Sequence, residues 1–154
     1  MNTEKLSEIL TDFLSSEEID VEADYGLDFC YDYTESKVYY SFLIPDRSGE
    51  WLMEFAKEHG LKYDCGSFFL SFFHEVGHHL TIDLLDEDEE EYSSDMKKSL
   101  SSTREDNFIY FNLPDERIAT EWAINYINNN KEKLSELSLK IKPLIKSIYS
   151  SLSA

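Results

Sequence analysis

The segment HEVGHH, residues 74 to 79, carries three of the four histidines of this chain. His74 and His78 are four apart, so on a helix they share a face and can aim two imidazoles at one metal ion. Glu75 is rotated by about 100° from His74. From there it cannot easily reach the same ion, but it can hold a water bound to it. This is the HExxH arrangement of two metal ligands and a general base. Zinc in such a site lowers the pKa of its water toward ~7, and the glutamate takes the proton as the water attacks a carbonyl. Gly77 costs the helix about 1 kcal/mol relative to Ala, and a position without a side chain lets another backbone come close. The plainer alternative is that both histidines are satisfied polar residues on the edge of a phenylalanine-rich core helix. His79 points about 100° away from His78 and is read as a bystander. His59, near a helix C-terminus, suits the dipole there and is given no chemistry.

A catalytic zinc needs a third protein ligand and an open position. Extending the motif to HExxHxxGxxH would need Gly at 81 and His at 84, but the chain has Thr81 and Leu84. Asp83 lies at or past the same helix end and ranks low. Glu116 and Glu121, in PDERIATEWAINYI, are the remaining candidates on a later helix.

HEVGHHL followed by ERIATEWAINYI resembles the ImmA/IrrE-type zinc metallopeptidases, a gluzincin group whose second helix has the form ExxAxxFA. Glu116, Ala119, Trp122 and Ala123 fill those places here. The chain departs from the pattern at Thr120, where Asn is usual. The resemblance covers about 70 to 128. It implies Glu116 as third ligand beside His74 and His78, Glu75 as base, and Zn2+ as the cofactor. It also implies a compact zincin-like single domain over 1–154, with its motif region at 66–128. The implied activity is that of a metalloendopeptidase, a hydrolase acting on a bacterial or mobile-element repressor. No oxyanion stabiliser follows from the sequence; Tyr110 and Tyr126 are merely nearest to the second motif.

The elements that must position these residues read as an α+β domain. Residues 3 to 14 have helical spacing, with Thr3 as N-cap. From 19 to 33 the pattern has period two, as one long strand or two short ones bent near Gly26. TESK turns into a strand through Val38, Tyr40, Phe42 and Ile44, predicting an antiparallel hairpin that ends at Pro45. Its exposed edge could take an extended peptide by strand addition, or could serve packing alone. Ser48 is placed to cap a helix that Gly60 stops. The next helix spans about 66 to 82. The acid block after it predicts a solvated loop over about 83–106, with room for a short helix. FIYFNL, 108 to 113, reads as a brief strand. Pro114 suits the first position of the Glu116 helix. An amphipathic helix follows over about 131–152, with Pro143 inside it. It has five lysines against two glutamates, a solvated basic face or one that packs back on the acidic body.

Composition bounds the partners. The chain has 154 residues, 42% hydrophobic and 14% aromatic, with a formal net charge of −18 from 14 basic and 32 acidic side chains. That is enough chain for a real core. The charge argues against direct nucleic-acid contact and against anionic membranes, and it suits a basic protein or peptide partner. An alternative class follows: an acidic, non-enzymatic binding protein that mimics nucleic acid or occupies a basic partner. No apolar run approaches the ~20 residues of a membrane span. The N-terminus shows no basic and apolar leader, so a cytoplasmic location with Cys30 and Cys65 as reduced thiols is expected. Cys65 precedes a helix that could lower its pKa, though a small buried thiol is the plainer reading. Oligomeric state is not legible.

Overall fold

The computed structural model describes residues 2–42 and 47–153. In chain order the elements are α1 (Asn2–Ser16), β1 (Glu22–Tyr25), β2 (Cys30–Asp32), β3 (Lys37–Tyr40), α2 (Ser48–Glu58) and α3 (Ser67–Thr81). A 3-10 turn, Ile82–Leu84, leads to α4 (Glu87–Lys97), α5 (Arg104–Phe111), α6 (Pro114–Asn129) and α7 (Lys131–Ser153). The protein is α+β and mostly helical. Its contacts divide it into two compact units: Met1–Ile44 with Asn130–Ala154, and Pro45–Asn129.

In the first unit, α1 packs on β1 and on α7. Leu6, Leu10 and Leu14, at helical spacing, are fully buried, and α7 contributes Leu134, Leu137, Ile141 and Ile148 to that core. α7 is therefore held by its apolar stripe; Lys133 adds one ion pair with Glu17, at 2.9 Å. α7 continues through Pro143. Thr3 lies inside α1 rather than at its cap, and its carbonyl accepts from the buried Tyr40 hydroxyl at 2.9 Å.

The period-two stretch becomes two short strands, and the predicted hairpin is present as the antiparallel β2–β3 pair. The sequence did not suggest that β1 also pairs with β3, in parallel. The order β1-β3-β2 makes residues 26–29 pass over the end of β3. Gly26 sits at that crossing, where an added Cβ would lie 3.0 Å from the Tyr39 ring. Ile44 and Pro45, the expected end of the hairpin, fall outside the described residues.

The second unit is helical. Arg47, not Ser48, occupies the N-cap position of α2, while Gly60, at φ +106°, ends that helix as predicted. The acidic segment is not a loop throughout, because Glu87–Lys97 is helical. Asp86 accepts from the Glu89 backbone N–H at 2.7 Å, and Glu89 accepts from that of Asp86 at 3.3 Å. This reciprocal cap, with four acids in the first turn, sets the negative charges against the positive end of the helix dipole. FIYFNL is not a strand either: 104–111 is α5, with Thr103 capping the Asp106 N–H at 3.2 Å. Phe108 and Phe111, three apart, both reach Phe55 of α2, with centroids at 5.8 and 5.4 Å. A four-residue apolar run such as FIYF fits a helix face as well as a strand, and here the cap decides.

α3 and α6 form the most extensive helix pair of this unit. α3 buries Phe69, Leu70, Phe72, Phe73 and Val76, and α6 buries Ala119, Ala123, Ile124 and Ile127. The two backbones meet at Gly77, where a Cβ would stand 2.4 Å from the Ala119 carbonyl oxygen. The glycine is set by this approach, which outweighs its ~1 kcal/mol helix penalty. Gly77→Ala should therefore destabilise the protein by roughly 1–3 kcal/mol despite better helix propensity. Urea denaturation measures this, and unchanged or raised stability would show that the helices can part at no cost.

Candidate metal centre

His74 and His78 lie one turn apart on α3, on the side that faces α6. Glu116 stands in the first turn of α6, directly after Pro114 and Asp115. The contact at Gly77 and Ala119 brings these faces together. His74 Nε2 is 2.9 Å and His78 Nε2 is 3.1 Å from the same oxygen, Glu116 Oε1. The histidines are therefore not independent polar residues at the edge of a core. His74 and Glu116 are only 5% and 3% exposed, so neither could stay there without polar partners.

The partners are specific. The other ring nitrogen of His74, Nδ1, is 2.9 Å from the Thr120 hydroxyl. That bond orients the imidazole so that Nε2 faces Glu116. Thr120 lies one turn after Glu116, so α6 supplies both the carboxylate and the group that orients the imidazole opposite it. The second oxygen, Glu116 Oε2, accepts from Lys97 Nζ of α4 at 2.8 Å, and Asp115 Oδ2 accepts from the same ammonium at 2.6 Å. Lys97 Nζ also lies 5.0 Å from the centroid of the Tyr110 ring, within cation–π range.

These contacts set the charges. Burial opposes the negative charge of Glu116, but the hydrogen bonds from His74 and His78 and the charge on both outweigh it and hold its pKa well below the usual range. Burial likewise opposes a charge on His78, yet the Glu116 hydrogen bond and the charges of Glu116, Glu75 and Asp115 raise its pKa. Lys97 is pushed up, against burial, by Glu116 and Asp115. Burial and the same three carboxylates raise Tyr110, so it stays a neutral phenol.

Ligand atoms of His74, Glu75 and His78 lie within 4.8 Å of one another and form a group that could hold a metal ion. Glu116 Oε1 faces both Nε2 atoms of that group. Two imidazole nitrogens and a carboxylate oxygen are donors that zinc accepts. Once a cation takes the place of the imidazole protons, the carboxylates of Glu75, Asp115 and Glu116 against the one ammonium of Lys97 leave a formal charge of −2, matched to a divalent cation. The donor set and the local charge thus both fit a metal.

Of the other residues raised by the sequence, Glu121 is exposed and accepts from Arg117 at 2.9 Å, and Asp83 is exposed past the end of α3. Neither joins the group. His79 is half-buried; it is absent from the metal-binding group. His59 stacks on Phe55 at 4.0 Å. Tyr126 stacks on Trp122 and lies more than two turns along α6 from Glu116. Tyr110 lies beside Lys97, the ammonium that donates to Glu116. Burial pushes the Cys65 thiol up to about 11, so the helix start does not activate it. Sequence reasoning missed Lys97, Asp115 and the role of Thr120. Only Thr120 carried a signal, its i+4 spacing from Glu116.

The chain matches no family model, no curated protein and no solved structure. Thr120→Val keeps the volume and removes the hydroxyl, leaving the buried Nδ1 of His74 unpaired. We expect a loss of about 1–3 kcal/mol in urea denaturation, with Thr120→Ser close to wild type. Equal stability of all three would mean that His74 is not held by this bond.

Proposed function

We propose that the protein is a zinc-dependent endopeptidase of zincin-like type, with His74, His78 and Glu116 as metal ligands and Glu75 as general base. The observation that carries this reading is the convergence of both HExxH imidazoles on one oxygen of Glu116, a residue from a different helix. Zinc held by these three residues would supply a water acidified toward neutral pH and a Lewis acid for the substrate carbonyl. Glu75, half-buried beside His74, is the carboxylate that accepts a proton from the attacking water and returns it to the leaving nitrogen. Thr120 keeps His74 in the orientation that ligation requires. Tyr110, neutral and close to Glu116, is the phenol best placed to donate to a developing oxyanion.

The resemblance to ImmA/IrrE-type peptidases makes a repressor-type regulator the substrate class. The surface charge agrees with it: a chain of net charge −18 attracts a basic, DNA-binding protein over distances of about a Debye length. A second reading, an acidic binding protein without catalysis, is favoured by the unbroken acidic run from Asp86 to Glu91.

One experiment separates the two. Purified protein reconstituted with zinc should hold about one ion per chain, and His74→Ala or Glu116→Gln should lose it. Glu75→Gln should keep the ion and lose cleavage of a mixed peptide library, read by mass spectrometry, by roughly 10²–10⁴-fold. Failure of wild-type protein to bind zinc after reconstitution would end the peptidase reading. Zinc binding with no Glu75-dependent cleavage of the library or of a repressor substrate would favour the binding protein.

A further inference from the structure

α4 has no place in the HExxH pattern, yet it sends one side chain into the centre. The Lys97 side chain, in the last turn of α4, is 29% exposed, whereas the Glu116 side chain it touches is 4% exposed. The two oxygens of that carboxylate are divided between different partners. Oε1 faces both imidazoles, and Oε2 accepts from Lys97 Nζ at 2.8 Å. Asp115 closes the arrangement. Its Oδ2 accepts from the same ammonium at 2.6 Å, and its Oδ1 accepts from the Glu116 backbone N–H at 2.9 Å. Lys97 is thus held from two sides, and Glu116 can turn neither oxygen without breaking a charged hydrogen bond.

A carboxylate can bind a metal ion through one oxygen or both, and the outer hydrogen bonds decide which. We infer that Lys97 is a positioning residue that occupies Glu116 Oε2 and so restricts Glu116 to ligation through Oε1 alone. Asp115 anchors Lys97 for that role. The consequence is a lower coordination number, which leaves a position free for water or substrate. This inference rests on the metal reading of His74, His78 and Glu116. It adds a function for α4 that the two motif helices do not supply.

Cobalt(II) in place of zinc makes coordination visible, because its d–d absorption loses intensity as the coordination number rises. The full chain is loaded with cobalt as wild type, Lys97→Met, Lys97→Arg and Asp115→Asn, with helicity followed by circular dichroism. Wild type and Lys97→Arg, which keeps the charge and a donor, should share one spectrum. Lys97→Met should bind cobalt with a weaker, shifted band as Oε2 enters the coordination sphere. Asp115→Asn loosens Lys97 without deleting it and should move the band in the same direction. It reads the same effect even if Lys97→Met does not fold. A wild-type spectrum in every variant that binds cobalt would overturn the positioning role while leaving the metal reading intact. No cobalt band in the wild type would remove both.

Discussion

The site depends on the close approach of two helices at one point. A Cβ on Gly77 would meet the Ala119 carbonyl oxygen at 2.4 Å, so α3 and α6 touch backbone to backbone there. The polar groups flank that point in the same way on both helices: His74 and Glu116 stand three residues before Gly77 and Ala119, and His78 and Thr120 directly follow them. The distances of 2.9 to 3.1 Å among them follow from that contact. A side chain at 77 would hold the helices apart, and a glutamate could not span the extra gap and still face both imidazoles.

Such proximity places charge where water is scarce. A buried carboxylate is tolerated only when hydrogen-bonded and paired. Glu116 meets that condition with donors on both oxygens. Its compensation draws on two other helices, since Lys97 comes from α4 and the imidazoles from α3. This gives the acidic segment a structural reason that its composition hides. α4 begins in a run of carboxylates that favour a helix start and ends in the ammonium that Asp115 and Glu116 need.

What the sequence makes legible follows the range of the interaction. Spacing of four along one helix marks His74 and His78, and Pro114 marks where the Glu116 helix begins, because both signals are local. The stripe of Leu6, Leu10 and Leu14 is local too, and α1 forms as read. Glu116 and Glu121 are equally possible by type and differ only in the face they present; the structure buries the first and exposes the second. Lys97 was not legible, since nothing near it in sequence tells that α4 folds back on α6. The acid run misleads for a related reason: like charges repel along a chain, but at a capped helix start they are stabilising. FIYFNL has the residue types of a strand and the cap of a helix. The parallel pairing of β1 with β3 depends on a crossing over 26–29 that period-two alternation does not encode.

The proposed metal site is an open one with three protein ligands, His74, His78 and Glu116. X-ray absorption fine structure of the zinc-reconstituted protein tests it most directly. We expect a shell of nitrogen and oxygen donors alone at about 2.0–2.2 Å, two of them imidazoles by their outer-ring scattering. One oxygen donor should exchange when a small anion is added. A sulfur shell near ~2.3 Å, or four protein ligands with no exchangeable position, would contradict it.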